Sequence, residues 1–396
     1  MHLTKEEENV LAGGQGEVAA RSMRLLVKLG DIYGAAKMIP IGSAQVAGVS
    51  YKSIGDPGRD FLEDYARQGA KVKVPTFLNP AGMDIEDWEE LKFPREFAYQ
   101  QMRIMEAFRR MGIIMSASCT PYLAGNLPRY GEHIAWSESS AVSFSNSVIG
   151  ARTNREGGPS ALAAAICGVT PDYGYHRDEN RHPHFHVKVS ARLEYSSDYG
   201  ALGWLVGKVV KDKIPYFTGL SDTAGTDELK ALGAAMAASG AVAMYHAEAL
   251  TPEARFAKKE NLQVIDFSDK ELKDTYAKLS PATVPDIVVI GCPHASMKEI
   301  ARVAQLVEGK HLKKPLWVCT SRAMKEAARR MGYAEMIEKA GGKIVADTCM
   351  VVAPIEDMGF KTTGVNSGKA ASYLPGHCKQ NVMYGRVEDL VEAASK

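Results

Sequence analysis

The run Ile287-Val288-Val289-Ile290-Gly291-Cys292-Pro293-His294 decides the fold. Four apolar, β-branched residues of strand length stop at a glycine, and a helical pattern over Met297–Val307 follows. The unit then recurs. Leu316-Trp317-Val318 runs into Cys319-Thr320-Ser321-Arg322, a helical pattern covers Met324–Ala340 with a break near Gly332, and Ile344-Val345-Ala346 runs into Asp347-Thr348-Cys349. Strand, helix, strand, helix, strand at this spacing predicts a parallel sheet covered by helices. Ligands of such sheets bind outside the carboxyl ends of the strands, where Cys292, Cys319 and Cys349 stand. Core cysteines would instead scatter over helices and strand interiors.

Upstream, the alternation continues. Leu202–Val210 and Asp227–Ala238 read as helices, Ile214–Thr218 and Ala241–His246 as strands, and the charged stretch Glu253–Ser280 as a connection between lobes. Nearer the start, Thr4-x-x-Glu7 has the form of a capping box. A helix with Ala19, Met23, Leu26 and Val27 on one face follows, then a short strand over Lys37–Gly42. Residues 94–111 predict an amphipathic helix with Phe97, Met102, Met105 and Phe108 on its apolar side. Cys119 lies just beyond the apolar run Gly112–Met115. The lobes expected are 1–200, carrying Cys119 and the Gly150–Ser160 loop, then 201–280, then 281–396 with Cys292 and Cys349.

Lys plus Arg number 48 and Asp plus Glu 47 in the 396 residues, so no general field favours nucleic acid or anionic lipid. An anionic ligand must therefore be met by a local pocket. The charged start Met1–Glu8 is not a secretory signal, and Ala231–Ala247 is short for a membrane span. With six cysteines and no signal, a reducing, cytoplasmic compartment is expected. No CxxC, HExxH or GxSxG occurs, and no GxGxxG follows a strand, which disfavours zinc ribbons, zinc peptidases, serine hydrolases and classical dehydrogenases.

Two loops suit an anion. Gly150–Ser160 carries Arg152 and Arg155 ahead of a helix over Ala161–Cys167, which Ser160 is placed to cap. Gly364-Val365-Asn366-Ser367-Gly368-Lys369 gathers small, polar and basic residues without P-loop spacing. His182, His184 and His186 alternate, so on a strand they share a face, and a zinc hydrolase built on them is a separate reading.

Gly42–Tyr51 with Ile54-Gly55-Asp56 resembles the N-terminal block of the aconitase X family. So do Gly150–Ser160, His246 with Thr251–Ala254, Gly291–His294, Asp347–Cys349 and Asn366–Lys369, in family order along the chain. The resemblance implies an aconitase-like α/β core of three lobes with parallel or mixed sheets covered by helices. It implies an iron–sulfur cluster, [4Fe-4S] or [3Fe-4S], held by Cys119, Cys292 and Cys349, with Cys319 as the alternate, and a dehydratase that acts on a small hydroxylated acid. His294, Ser367 and Lys369 are then expected to serve catalysis, and Ser43, Gln45, Thr120, Asn154, Arg155 and Lys369 to bind the anionic substrate. In this family a smaller swivelling domain resembles the bearer of the catalytic serine. Since the sequence ends at Lys396, that domain is expected on a separate small subunit, the form that dehydrates 5-phosphomevalonate in isoprenoid synthesis. The fused form, acting on cis-3-hydroxyproline, is the alternative. A cluster-bearing RNA-binding regulator is another class of reading, opposed by the near-zero net charge.

Overall fold

The computed structural model describes residues 1–396. The first lobe holds β1 (Met38–Pro40), β2 (Ala44–Val46), β3 (Thr76–Leu78), β4 (Ala135–Trp136) and β5 (Val169–Pro171). A parallel sheet in the order β3-β2-β4 is flanked by the antiparallel pair β1–β5. The Thr4 capping box is present: the Glu7 amide donates to Thr4 Oγ1 at 3.3 Å, and the Thr4 amide to Glu7 at 2.7 Å.

The helix expected over 94–111 spans Arg95–Arg110, but its buried stripe is Ala98, Gln101, Ile104, Met105 and Phe108, while Met102 is exposed. That stripe keeps helical spacing, and Gln101 occupies a core position because its amide is spent on the backbone. It donates to Val49 O at 2.9 Å and accepts from Tyr51 N and Gly82 N at 3.0 and 2.9 Å.

The second sheet contains β6 (Phe185–Val189), β7 (Pro215–Thr218), β8 (His246–Ala247) and β9 (Gln263–Phe267), all parallel, in the order β8-β7-β6-β9. Helix Ser196–Val210 runs through residues 200 and 201. The charged stretch 253–280 is part of this sheet rather than a connection. It supplies β9 and helix Asp269–Leu279, because an edge strand and a surface helix need few apolar residues. Only His186 of the alternating histidines lies on a strand; His182 and His184 precede β6.

The third sheet contains β10 (Ile287–Ile290), β11 (Leu316–Thr320), β12 (Lys343–Ala346), β13 (Thr362–Val365) and β14 (Asn381–Tyr384), all parallel, ordered β12-β11-β10-β13-β14. Both faces of β10 are buried, which explains its unbroken apolar run. Val288 and Ile290 join Val318, Ile344, Ile300 and Val303 on one side. Ile287 and Val289 join Trp317 and Val345 on the other, together with Met83, Leu91 and Phe93 of the first lobe. Each such fully buried side chain contributes about 1.5–3 kcal/mol. The first lobe therefore packs against one face of this sheet, which fixes the C-terminal strand ends against it.

Candidate active site

Chain order along the third sheet reverses between β10 and β13, and this switch point is where open α/β sheets take ligands. Two loops flank it: Gly291–His294 after β10 and Asn366–Lys369 after β13. Gly291 has φ +102° and a Cβ there would stand 2.1 Å from Cys319 O, so only glycine allows the turn into Cys292. At Gly368 a Cβ would stand 2.6 Å from Gly200 O. The missing side chain lets helix Gly368–His377 start against helix Ser196–Val210 and delivers Lys369 to the site.

Three segments converge here. Cys119, Cys292 and Cys349 are 4%, 6% and 6% exposed, none is in a disulfide, and each acts electrostatically on another's thiol. Cys292 and Cys349 shift one another in opposite directions: Cys349 raises Cys292, while Cys292 is the first cause lowering Cys349, an effect that the backbone amides of Val351 and Val352 and the Lys369 ammonium reinforce. Burial pushes Cys119 up to about 12 against the pull of Lys369. Cys319 lies inside β11, fully buried beside the same group, rather than past the strand end.

His294 joins the three segments. Its amide donates to Cys119 Sγ at 3.1 Å. Its ring Nε2 lies 3.0 Å from Thr348 O, a group that only accepts, so Nε2 carries the proton. Nδ1 then accepts from Ser118 Oγ at 3.1 Å. The ring is fully buried, and burial pushes it down to about 4, so it is neutral near pH 7. With both nitrogens committed, the ring orients its neighbours and has no free atom for a substrate.

Lys369 is buried and ion-paired with Glu138, with Ser140 Oγ at 3.1 Å. Burial works against the Glu138 charge, but Lys369 and hydrogen bonds from Asn79 (2.8 Å) and Ser140 outweigh it and hold the carboxylate at about 2. Sequence reading missed Glu138 and Asn79, which carry no local motif.

The other expected residues divide. Gln45 donates to Ser118 O at 3.0 Å, Thr120 Oγ1 is 3.1 Å from Ser118 Oγ, and Ser43 accepts from Trp136 Nε1 at 3.3 Å. Gln45 and Thr120 thus bond Ser118, the residue before Cys119, while Ser43 bonds Trp136. Ser367 caps its helix by accepting from Ala370 N at 3.1 Å. Asn154 is turned elsewhere: it donates to Tyr173 O and accepts from Tyr175 N, bracing a turn. Arg152 pairs with Asp178, while Arg155 is exposed. Ser160 is not the helix cap; the helix starts at Gly158 after Gly157, and the Ser160 hydroxyl bonds Glu156 and Gly157. The histidines 182, 184 and 186 do not converge: His184 Nδ1 accepts from Ile214 N at 3.4 Å, and His186 Nε2 is 2.9 Å from Thr218 Oγ1.

No three His, Cys, Asp or Glu side chains crowd closely enough for a single metal ion. The donor set at the switch point suits a larger sulfur-ligated group: three buried cysteines beside a buried ammonium. Buried polar atoms without partners surround it, namely Gln45 Oε1, Asn79 Oδ1, Tyr122 Oη and Thr348 Oγ1. Such atoms call for partners that a bound group and its substrate would provide.

An α/β chain of three parallel sheets that gathers cysteines at a switch point matches family models described as aconitase X first domain over residues 1–179, second domain over 183–277 and third domain over 285–396. The chain belongs to the aconitase X family. It is 56% identical to the phosphomevalonate dehydratase large subunit of Methanocaldococcus jannaschii, over 99% of this chain and 100% of that one. The crystal structure of Thermococcus kodakaraensis aconitase X (holo-form) superposes with a TM-score of 0.94 at 49% identity, covering 100% of both chains. The cis-3-hydroxy-L-proline dehydratase of Pseudomonas aeruginosa is 33% identical over 98% of this chain and 69% of its own length. No helix is long and apolar enough to cross a membrane.

Proposed function

We propose that this chain is the large subunit of a two-chain, iron–sulfur-dependent hydro-lyase that removes water from 5-phosphomevalonate to give trans-anhydromevalonate 5-phosphate. The meeting of Cys119, Cys292 and Cys349 at the switch point carries the reading. The full-length likeness to a phosphomevalonate dehydratase large subunit supports this substrate over hydroxyproline, whose dehydratase is the more distant relative.

Cys119, Cys292 and Cys349 would hold the cluster. Bound there, the cluster would supply Lewis-acid activation of the substrate hydroxyl as a leaving group. Lys369 keeps positive charge beside the cysteines and stabilises the anionic substrate. Thr120, Gln45 and Ser43 offer polar contacts on the first-lobe side, and exposed Arg155 is the free cation for a phosphate or carboxylate on closure. His294 keeps the three cysteine segments in register. Ser367 marks the loop that faces the incoming small subunit, which brings the swivelling domain and the serine base.

The test is anaerobic co-purification with the small subunit, followed by iron and acid-labile sulfide analysis and product detection by NMR from 5-phosphomevalonate and from cis-3-hydroxy-L-proline. Iron with sulfide, and turnover of the phosphorylated substrate alone, is the expected result. Zinc or no metal in freshly purified, folded protein overturns the cluster, and turnover of hydroxyproline overturns the substrate.

A further inference from the structure

Four successive carbonyls after Cys349 lie within reach of a side chain from outside that segment, with the single thiol hydrogen of Cys378 serving the first two in turn. Cys378 Sγ lies 3.6 Å from Met350 O and 3.4 Å from Val351 O. Ser50 Oγ donates to Val352 O at 2.8 Å. Lys52 Nζ donates to Ala353 O at 3.0 Å and also reaches Glu356 at 2.8 Å and Cys378 Sγ at 3.4 Å. Inside the segment, the amides of Val352 and Ala353 return to Cys349 O at 3.2 and 3.0 Å.

The donors are placed at some cost to their own elements. Ser50 precedes helix Tyr51–Arg67, where a serine ordinarily accepts from its own helix; here it makes no such cap, and its hydroxyl goes to the third lobe. Ser50 is 1% exposed and Cys378 fully buried, so these contacts are shielded from water. Cys378 ends the helix that Lys369 begins, so one helix serves the site at its start and braces the Cys349 segment at its end. Lys52 ties both to the first lobe.

We infer that Ser50, Lys52 and Cys378 are positioning residues that hold the segment 350–353 by its carbonyls, and so fix Cys349 for the cluster. The inference rests on the assignment of Cys349 as a cluster ligand. With its carbonyls held from outside and the amides of Val352 and Ala353 returned to Cys349 O, the turn after Cys349 is fixed from both sides. Groups that orient a metal ligand in this way change metal affinity by roughly 10–100-fold when removed.

The experiment uses a Ser50→Ala/Lys52→Met double variant and a Cys378→Ala variant, each in the complex with the small subunit. Hydrogen exchange on the cluster-free complex reads the brace itself. Iron release to a chelator, with visible circular dichroism of the loaded complex, reads its effect on the cluster. Expected in the double variant are faster exchange confined to residues 349–356, iron release faster by about tenfold, and an altered dichroism spectrum that simple destabilisation would not produce. Cys378→Ala should show the same pattern to a smaller degree. Wild-type exchange at 349–356 overturns the brace, and wild-type release and spectrum overturn its role toward the cluster. Absence of iron and sulfide from the unsubstituted complex defeats the cluster assignment instead, and the exchange measurement still decides the brace.

Discussion

The amide of His294 donates to the sulfur of Cys119 at 3.1 Å, across a sequence separation of 175 residues. The same residue's ring reaches Ser118 and Thr348, the residues immediately before Cys119 and Cys349. A single residue next but one to Cys292 therefore sets the mutual placement of all three cysteine segments. The three cysteine segments are held together by protein contacts, which is how a buried site avoids reorganisation when charge develops in it.

Replacing His294 by Leu removes the ring donor to Thr348 O and the acceptor for Ser118, leaving buried polar groups unpaired. The expected loss is about 1–3 kcal/mol of stability, read by urea unfolding of the cluster-free chain, with iron content reduced in the reconstituted complex. The pH dependence is a sharper readout. The folded pKa, about 4, lies below the ordinary histidine value of 6.5. The unfolded chain therefore binds more protons between those limits, and the stability this group contributes is present above pH 6.5 and lost as pH falls toward 4. Wild type minus His294→Gln should show that slope between pH 6.5 and 4 and none above; equal slopes would refute the neutral buried ring.

Lys369→Met strands Glu138 without its partner. Removing one member of a buried ion pair typically costs about 3–5 kcal/mol, and Asn79 and Ser140 are too weak as donors to compensate. The double variant Lys369→Met/Glu138→Gln should recover much of the stability and none of the activity. Denaturant unfolding with turnover assays separates these roles. A double variant no more stable than Lys369→Met would show that the pair does not account for the loss.

Much of the third sheet is legible in the sequence. The central strands β10 and β11 are buried on both faces, and that burial writes itself as apolar runs such as Ile287–Ile290, whereas β13 and β14, with Thr362, Thr363 and Asn381, carry no such run and are not legible. The site is legible only in part. Cys292 announces itself because it follows a strand and Lys369 by its loop of small, polar and basic residues, but Glu138 lies 231 residues from Lys369 and has no spacing that points to it. Asn154 misleads because a polar side chain in a Gly-rich stretch looks functional when it is bonded to backbone. The stretch 253–280 reads as a linker because β9 and its helix lie on the surface, where charge replaces the apolar period.

Asn154 and Arg155 are neighbours with opposite expected behaviour. Asn154→Ala loses two bonds to the turn at Tyr173–Tyr175 and should cost about 1–2 kcal/mol of stability. Arg155→Ala should leave the unfolding midpoint unchanged, because the side chain is exposed. If it meets the substrate anion on closure, its loss raises KM by roughly tenfold or more, the worth of one charged hydrogen bond. An unchanged KM removes Arg155 from the site.

The cysteines give the last prediction. Cys119, Cys292 and Cys349 each stand on a loop at the junction of lobes, whereas Cys319 sits within β11 with its thiol in the core. Burial is the first cause that keeps the Cys319 thiol protonated. Single alanine variants at Cys119, Cys292 and Cys349 should each lose iron and sulfide after anaerobic reconstitution while remaining folded by circular dichroism. Cys319→Ala should keep both, with a stability loss of about 1 kcal/mol for the small cavity left in a packed layer. Loss of iron from Cys319→Ala with retention in Cys119→Ala would exchange the two in the ligand set, and the hydrogen bond from the His294 amide to Cys119 Sγ would then serve only to join the lobes.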